Sequence, residues 1–315
     1  MTLTHENNRD HGGGLDAALK TYGGSRADWI DLSTGINPVP YPIGDVEFAT
    51  WTDLPDKSAF ENVVDAARRY WNVPKNAAIL PAPGASALIA RLPALAQGGK
   101  VHIPAPTYNE HAAAFSFHGW TFSDDDPDAC VLVHPNNPTG HWYSEADLNA
   151  PFCIVDESFA DVKPERSLVH RADQKGVIVL KSFGKFWGLA GVRLGFAIGN
   201  PVLVQHLSNL LGPWAVSGPA LQIAETALRD FAWAETTRDR LKQDALRLDT
   251  LMFSAGAKLE GGTTLFRLYN VGDAEKWHTR LAEQKILTRI FPYSKRWLRL
   301  GLPAPGQWDR LERAL

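Results

Sequence analysis

The chain reads as an α/β protein, a mainly parallel sheet with helices on both faces joined to a smaller α+β unit. Two observations predict this. Short apolar runs rich in β-branched residues alternate with helical patterns between residues 78 and 198, as in stacked strand–helix–strand units. Pro219 to Phe253 is then a long stretch, poor in glycine, with helical periodicity, so two helices lead the chain away from the sheet.

Residues 1–45 are rich in Gly, Pro and Asn and read as an arm plus loops. Ala59 to Trp71 reads as a helix. Strands are expected at Ala78–Leu80, Lys100–Ile103, Cys130–Val133, Phe152–Val155, Val177–Leu180 and Gly195–Ile198. Helices are expected between them at Ser86–Ala96, Tyr108–His118 and Ser144–Asn149. The tail carries a strand pair around Leu265–Tyr269 and Trp297–Leu300 and a final helix after Pro305. The domains that follow are 46–230 for the sheet, and 1–45 with 231–315 for the smaller unit. No repeat or low-complexity tract interrupts this order.

With 315 residues and 44% apolar content, the chain can bury a sizeable core. Net charge is −3 and no basic block occurs, which argues against a nucleic-acid partner. No apolar run approaches the roughly 18 residues of a membrane span. Met1 to Asp10 is polar and lacks the apolar segment of a signal peptide. The two cysteines, Cys130 and Cys153, lie in strand-like apolar surroundings and read as buried free thiols. A reducing, cytoplasmic setting is expected from that usage. Eleven tryptophans imply that several fill the interior or an interface.

The chemistry concentrates in Ser182-Phe183-Gly184-Lys185-Phe186-Trp187-Gly188-Leu189-Ala190-Gly191-Val192-Arg193-Leu194-Gly195. A lysine that forms a Schiff base needs a partly desolvated pocket to lower its ammonium pKa. Here Gly and large apolar residues surround it. Ser182, three residues before, and Arg193, eight after, are suited to holding one dianionic phosphate. Pro83-Gly84-Ala85-Ser86 follows a strand and opens a helix, where backbone N–H groups can also meet phosphate. No metal-ligating cluster stands out.

These segments together resemble the fold-type I pyridoxal-phosphate enzymes related to aspartate aminotransferase, over nearly the whole chain from His11. The resemblance implies pyridoxal 5′-phosphate as cofactor, with Lys185 as its covalent anchor and Ala85, Ser86, Ser182 and Arg193 around its phosphate. It makes Asn137, within Asn136-Asn137-Pro138-Thr139-Gly140, the donor to the phenolic oxygen. On the same resemblance Asp156, within Val155-Asp156-Glu157, would face the pyridine nitrogen and keep it protonated, and Tyr108, after Pro104-Ala105-Pro106-Thr107, would stack on the ring. The family architecture also implies a homodimer.

Within that family, His11-Gly12-Gly13-Gly14, Asp31-Leu32-Ser33-Thr34-Gly35-Ile36-Asn37-Pro38 and Gly212-Pro213-Trp214-Ala215 resemble the threonine-phosphate decarboxylase branch of cobalamin biosynthesis. Phe159 points the same way, since aminotransferases usually carry a tyrosine there. Leu54 stands where relatives often place a tyrosine that reaches the neighbouring subunit's phosphate, and it supplies no hydroxyl. The implied substrate is a small phosphorylated amino acid. Arg299, in Trp297-Leu298-Arg299-Leu300, would take its carboxylate. Arg289 and His11 would favour its phosphate, and Asn37 and Trp214 would line the same site. The competing readings are histidinol-phosphate aminotransferase or another small aminotransferase, and a cofactor-binding regulatory or assembly protein without turnover.

Overall fold

The computed structural model describes residues 11–315, so the Met1–Asp10 part of the expected arm lies outside the described residues. Thirteen strands are described, in chain order: β1 Ile30–Asp31, β2 Ala78–Ala82, β3 Lys100–His102, β4 Thr121–Phe122, β5 Ala129–Val133, β6 Phe152–Asp156 and β7 Val177–Ser182, then β8 Gly195–Gly199, β9 Lys258–Gly262, β10 Phe266–Asn270, β11 Ile286–Leu287, β12 Arg289–Phe291 and β13 Ser294–Gly301. The α-helices are α1 Leu15–Tyr22, α2 Ala49–Thr52, α3 Lys57–Tyr70, α4 Ala85–Ile89, α5 Asn109–Phe117, α6 Pro201–Leu211, α7 Gly218–Arg229, α8 Phe231–Ser254, α9 Ala274–Glu283 and α10 Trp308–Ala314.

Seven strands form the main sheet in the order β2-β8-β7-β6-β5-β3-β4. All neighbouring pairs are parallel except those made by β8, which runs antiparallel to both β2 and β7. β5 and β6 are buried along their whole length. That explains their unbroken apolar runs, since a strand covered on both faces has no solvent side to mark with polar residues. Cys130 and Cys153 face each other in register on these two strands and are buried free thiols. The antiparallel β8 matters for chemistry. It pairs Gly195 with Ser182 of β7 and with Ala82 of β2, so its start lies at the edge where its neighbours end.

A four-stranded antiparallel sheet, β12-β13-β10-β9, is built from the C-terminal segment. The expected pairing of the Leu265–Tyr269 region with the Trp297–Leu300 region is its centre, with Leu268 opposite Arg299. β1 pairs in parallel with β11, bringing Ile30 against Ile286. Residues near the start of the chain thereby join the C-terminal segment.

Two expected helices are shortened. The Ser86–Ala96 pattern gives α4 only to Ile89, followed by a separate 3₁₀ turn at Leu92–Leu95. Pro93 inside that run removes a backbone donor and clashes with the preceding turn. Ser144–Asn149 yields a single 3₁₀ turn, Glu145–Asp147. There the Asp147 carboxylate accepts from the Ser144 backbone and hydroxyl at 2.7 and 2.8 Å, closing the turn locally. Behind the main sheet an aromatic cluster fills the core. Trp187, fully buried, stacks on Phe183 at 5.1 Å and on Trp233 at 5.3 Å between centroids. It ties the Lys185 segment to α8. No helix among the described residues is long and apolar enough to cross a membrane.

Candidate active site at the carboxyl edge of the main sheet

Ligands of open α/β sheets bind beyond the carboxyl ends of the strands. Here β2, β5, β6 and β7 deliver Gly84–Ser86, Asn137, Asp156 and Ser182–Lys185 to one edge, and the reversed β8 delivers Arg193 from its start. A cavity of about 130 Å³ is lined by Ala85, Ser86, Tyr108, Asn137, Asp156, Ser182, Lys185 and Arg193. All eight cofactor-side residues expected from the sequence therefore converge on one space.

The part of this cavity beside Gly84 and Arg193 is shaped by backbone geometry. Gly84 has φ +84°, and a Cβ there would lie 2.7 Å from Arg193 Nη2. Glycine thus serves twice, by adopting a left-handed conformation and by letting the guanidinium close on the turn. Arg193 itself has φ 54°, a strained position for a bulky residue. It donates through Nη1 to Ala190 O at 3.2 Å, which fixes the side chain against the loop. Ser182 Oγ accepts from Gly184 N at 3.2 Å.

Asp156 lines the same cavity and is almost fully buried. Burial pushes its carboxyl up, but hydrogen bonding and charge from His111 and two hydrogen bonds from Ser158 outweigh it. The net shift is below the ordinary carboxylate range, so Asp156 stays anionic. His111 Nε2 lies 2.9 Å from Oδ2, and Ser158 donates from its backbone at 3.0 Å and its hydroxyl at 2.6 Å to Oδ1. The sequence reading did not single out His111 or Ser158. The available signal was spacing: His111 lies three residues after Tyr108, in the first turn of α5.

Lys185 sits between this cavity and a larger one. Its amine is pushed down to about 8, first by burial, then by the charge of Arg299, with Asp156 opposing and Arg193 adding a little. The ammonium lies 5.3 Å from the centroid of the Phe159 ring. Phe159 is buried and packs edge-on against Phe266 at 5.0 Å. The lysine loop is held from behind by Asn37, whose backbone donates to Lys185 O at 3.0 Å and whose amide donates to Phe186 O at 2.8 Å.

The larger cavity, about 410 Å³, is lined by His11, Tyr108, Asn137, Phe159, Lys185, Arg289, Tyr293 and Arg299 among others. It shares Tyr108, Asn137, Phe159 and Lys185 with the smaller one, so the two are contiguous. Arg299 is buried and donates to Asn137 Oδ1 and, at 2.6 Å, to Ser33 O. Arg289 donates to His11 O at 2.6 Å, and the His11 ring meets Glu110 Oε1 at 2.7 Å. Arg289 and Arg299 are direct cross-strand partners on β12 and β13.

Two of the expected substrate residues are not brought to this space. Asn37 is buried behind the lysine loop, with its carbonyl oxygen accepting from Arg240 at 2.6 Å. It lines neither cavity and supports the lysine loop instead. Trp214 is 56% exposed and lines neither cavity.

The sequence pattern of the family described as "Aminotransferase class I and II" matches residues 122–315. The chain is 38% identical over 326 residues to a threonine-phosphate decarboxylase of Pseudomonas aeruginosa, covering 97% of both chains. It is also 38% identical to a threonine-phosphate decarboxylase of a Sinorhizobium species, covering 95% of both. A solved histidinol-phosphate aminotransferase of Sinorhizobium meliloti in complex with pyridoxal-5′-phosphate superposes with a TM-score of 0.82 at 20% identity, over 95% of this chain and 92% of that one. That likeness carries the fold, and the identity over nearly full length carries the kinship. The chain belongs to the class I and II aminotransferase family, fold-type I, and takes pyridoxal 5′-phosphate as its cofactor.

Proposed function

We propose that this enzyme decarboxylates O-phospho-L-threonine to (R)-1-aminopropan-2-yl phosphate, a precursor of the cobalamin nucleotide loop. The observation that carries the substrate reading is the Arg289–Arg299 pair. Two guanidiniums directly opposite on adjacent strands repel each other, yet both line the cavity onto which Lys185 opens. Such a pair is suited to a ligand with two anionic groups. Arg299, the more buried, would take the carboxylate in a fork. Arg289 with His11 would meet the phosphate. The names borne by the two nearly full-length relatives support the same substrate.

The cofactor's residues fit the space they line. The Gly84 turn, which a Cβ would obstruct, and Arg193 form a cradle for a dianion. Asp156, held anionic, meets the demand of a protonated ring nitrogen. When bound, the cofactor supplies an electron-withdrawing ring that takes up the electron pair released as a bond at the substrate Cα breaks. Lys185, whose amine is pushed down to about 8, exchanges readily between its two forms near neutral pH: the neutral amine can attach the cofactor, and the ammonium can return a proton to Cα once carbon dioxide has left. Tyr108, which lines the same cavity, would cover the ring, and Asn137 is assigned to its phenolic oxygen. Phe159 offers no hydroxyl there, so Asn137 is the only one of those two able to donate to it.

The division into 46–230 and 1–45 with 231–315 remains our proposed domain arrangement, and the cytoplasm our proposed location. A homodimer is proposed from the surface as well as from kinship. Phe48, Trp51 and Leu54 are 78%, 67% and 64% exposed, so three large apolar side chains reach the surface within the short segment around α2. Light scattering at micromolar concentration tests this, and a fully active monomer overturns it.

Carbon dioxide release from phosphothreonine tests the activity. Evolution of carbon dioxide with no keto-acid requirement is expected. Transamination of a keto-acid acceptor without carbon dioxide release would move the protein to the aminotransferase reading, and neither reaction would leave the reading without turnover.

A further inference from the structure

We infer that Asn136 is a positioning residue that locks the loop carrying Tyr108 to the turn carrying Asn137. It sits one residue before Asn137 and is 3% exposed. Its carboxamide makes three bonds in two directions. Oδ1 accepts from the Thr107 hydroxyl at 2.6 Å, and Nδ2 donates to Pro106 O at 3.0 Å and to Thr139 Oγ1 at 2.8 Å. Thr107 and Pro106 belong to the segment that ends in Tyr108. Thr139 belongs to the turn that holds Asn137, and the backbone of Asn136 closes that turn by bonding Gly140 and His141 at 2.6 and 2.7 Å.

The arrangement is specific to an amide. Only an amide offers an acceptor and two donors on one planar group. A carboxylate lacks the donors and would face the Pro106 carbonyl lone pairs. An alanine would strand a buried carbonyl and the Thr107 hydroxyl. The consequence reaches the site because Tyr108 and Asn137 line both cavities. The two side chains assigned to the ring face and to its phenolic oxygen arrive on separate strands, β3 and β5, and one buried side chain bonds both carriers. This inference rests on the cofactor assignment and not on the choice of substrate.

The test is spectroscopic. The visible band of the Lys185-bound cofactor is titrated with pH in the wild type and in Asn136→Ala, Asn137→Ala and the double variant. Asn137→Ala reports loss of the donor itself. Asn136→Ala is expected to move the pH midpoint in the same direction by a smaller amount, and the double variant to add nothing beyond Asn137→Ala, since both act on one contact. A merely structural role would lower Tm and leave the midpoint where the wild type has it, which overturns the inference. If Asn136→Ala does not fold, Thr107→Val removes a single bond of the lock. Its midpoint must then shift in the same direction, and an unshifted midpoint counts against the lock. A wild type with no visible band would instead overturn the cofactor assignment.

Discussion

A lysine can attach pyridoxal 5′-phosphate only through its neutral amine, so the depressed pKa of Lys185 has a direct kinetic reading. With a pKa of about 8 in place of 10.5, about one-tenth of the amine is neutral at pH 7, roughly 300-fold more than for an ordinary lysine. The rate at which apoenzyme captures added pyridoxal 5′-phosphate should therefore climb about tenfold per pH unit below the midpoint and level off above about 8. Stopped-flow absorbance between pH 6 and 10 measures it. The same series with butylamine supplies the cofactor's own pH dependence, to be divided out. The two charges with the largest pull on the amine act in opposite senses. Arg299 lowers its pKa and Asp156 raises it. Arg299→Gln should move the midpoint up and Asp156→Asn should move it down. A midpoint near 10 in the wild type, or both variants moving the same way, would refute the electrostatic account of this lysine.

Further expectations concern single contacts. Lys185→Ala should lose the covalent cofactor and nearly all turnover, and borohydride trapping in the wild type should label the peptide containing Lys185 and no other. Asp156→Asn should lower kcat far more than it raises KM, because the charge is needed most as the electron pair moves into the ring; near-normal turnover would remove that role. Gly84→Ala should weaken cofactor affinity about tenfold or more without unfolding the chain, since the new Cβ meets the far end of Arg193; equilibrium dialysis of the apoprotein checks it. Arg299→Ala should weaken phosphothreonine and threonine alike, whereas Arg289→Ala should weaken phosphothreonine by about tenfold to a hundredfold more than threonine. Equal losses for Arg289→Ala on both substrates would take it out of the phosphate site.

Eight of the thirteen described strands were legible as apolar runs, and so were the eight cofactor-side residues that line the smaller cavity, because each belongs to a short contiguous motif at a strand end. Gly84, Asn137, Asp156 and Lys185 each announce themselves within five residues of an apolar run. What was not legible was everything settled by one strand's neighbour. His111 is ordinary on its own helix and becomes Asp156's partner only because the fold brings its ring within hydrogen-bond reach of the last residue of β6. Asn136 is overshadowed by the asparagine beside it. Its bonds go to a loop about 30 residues earlier in the chain. Asn37 failed as a cavity residue for the converse reason. Its motif was visible, but its side chain is buried with Nδ2 donating to the lysine loop and Oδ1 accepting from Arg240 of α8.

Arg193 shows how much of the site hangs on a topological detail. Its spacing from Lys185 is plain in the sequence, but spacing alone does not return a side chain to the edge it left. Had the strand after Arg193 been another parallel member of the sheet, its start would lie at the far edge, a full strand length from Ser182. Because β8 runs antiparallel, Gly195 lies opposite Ser182 and Ala82 together. A Cβ on Gly195 would come 2.6 Å from Ala85 N, so that glycine is what lets the Arg193 segment close against the Gly84 turn. One reversed strand and two glycines thus bring the arginine to the turn, and the left-handed backbone at Arg193 is the strain stored in making that return.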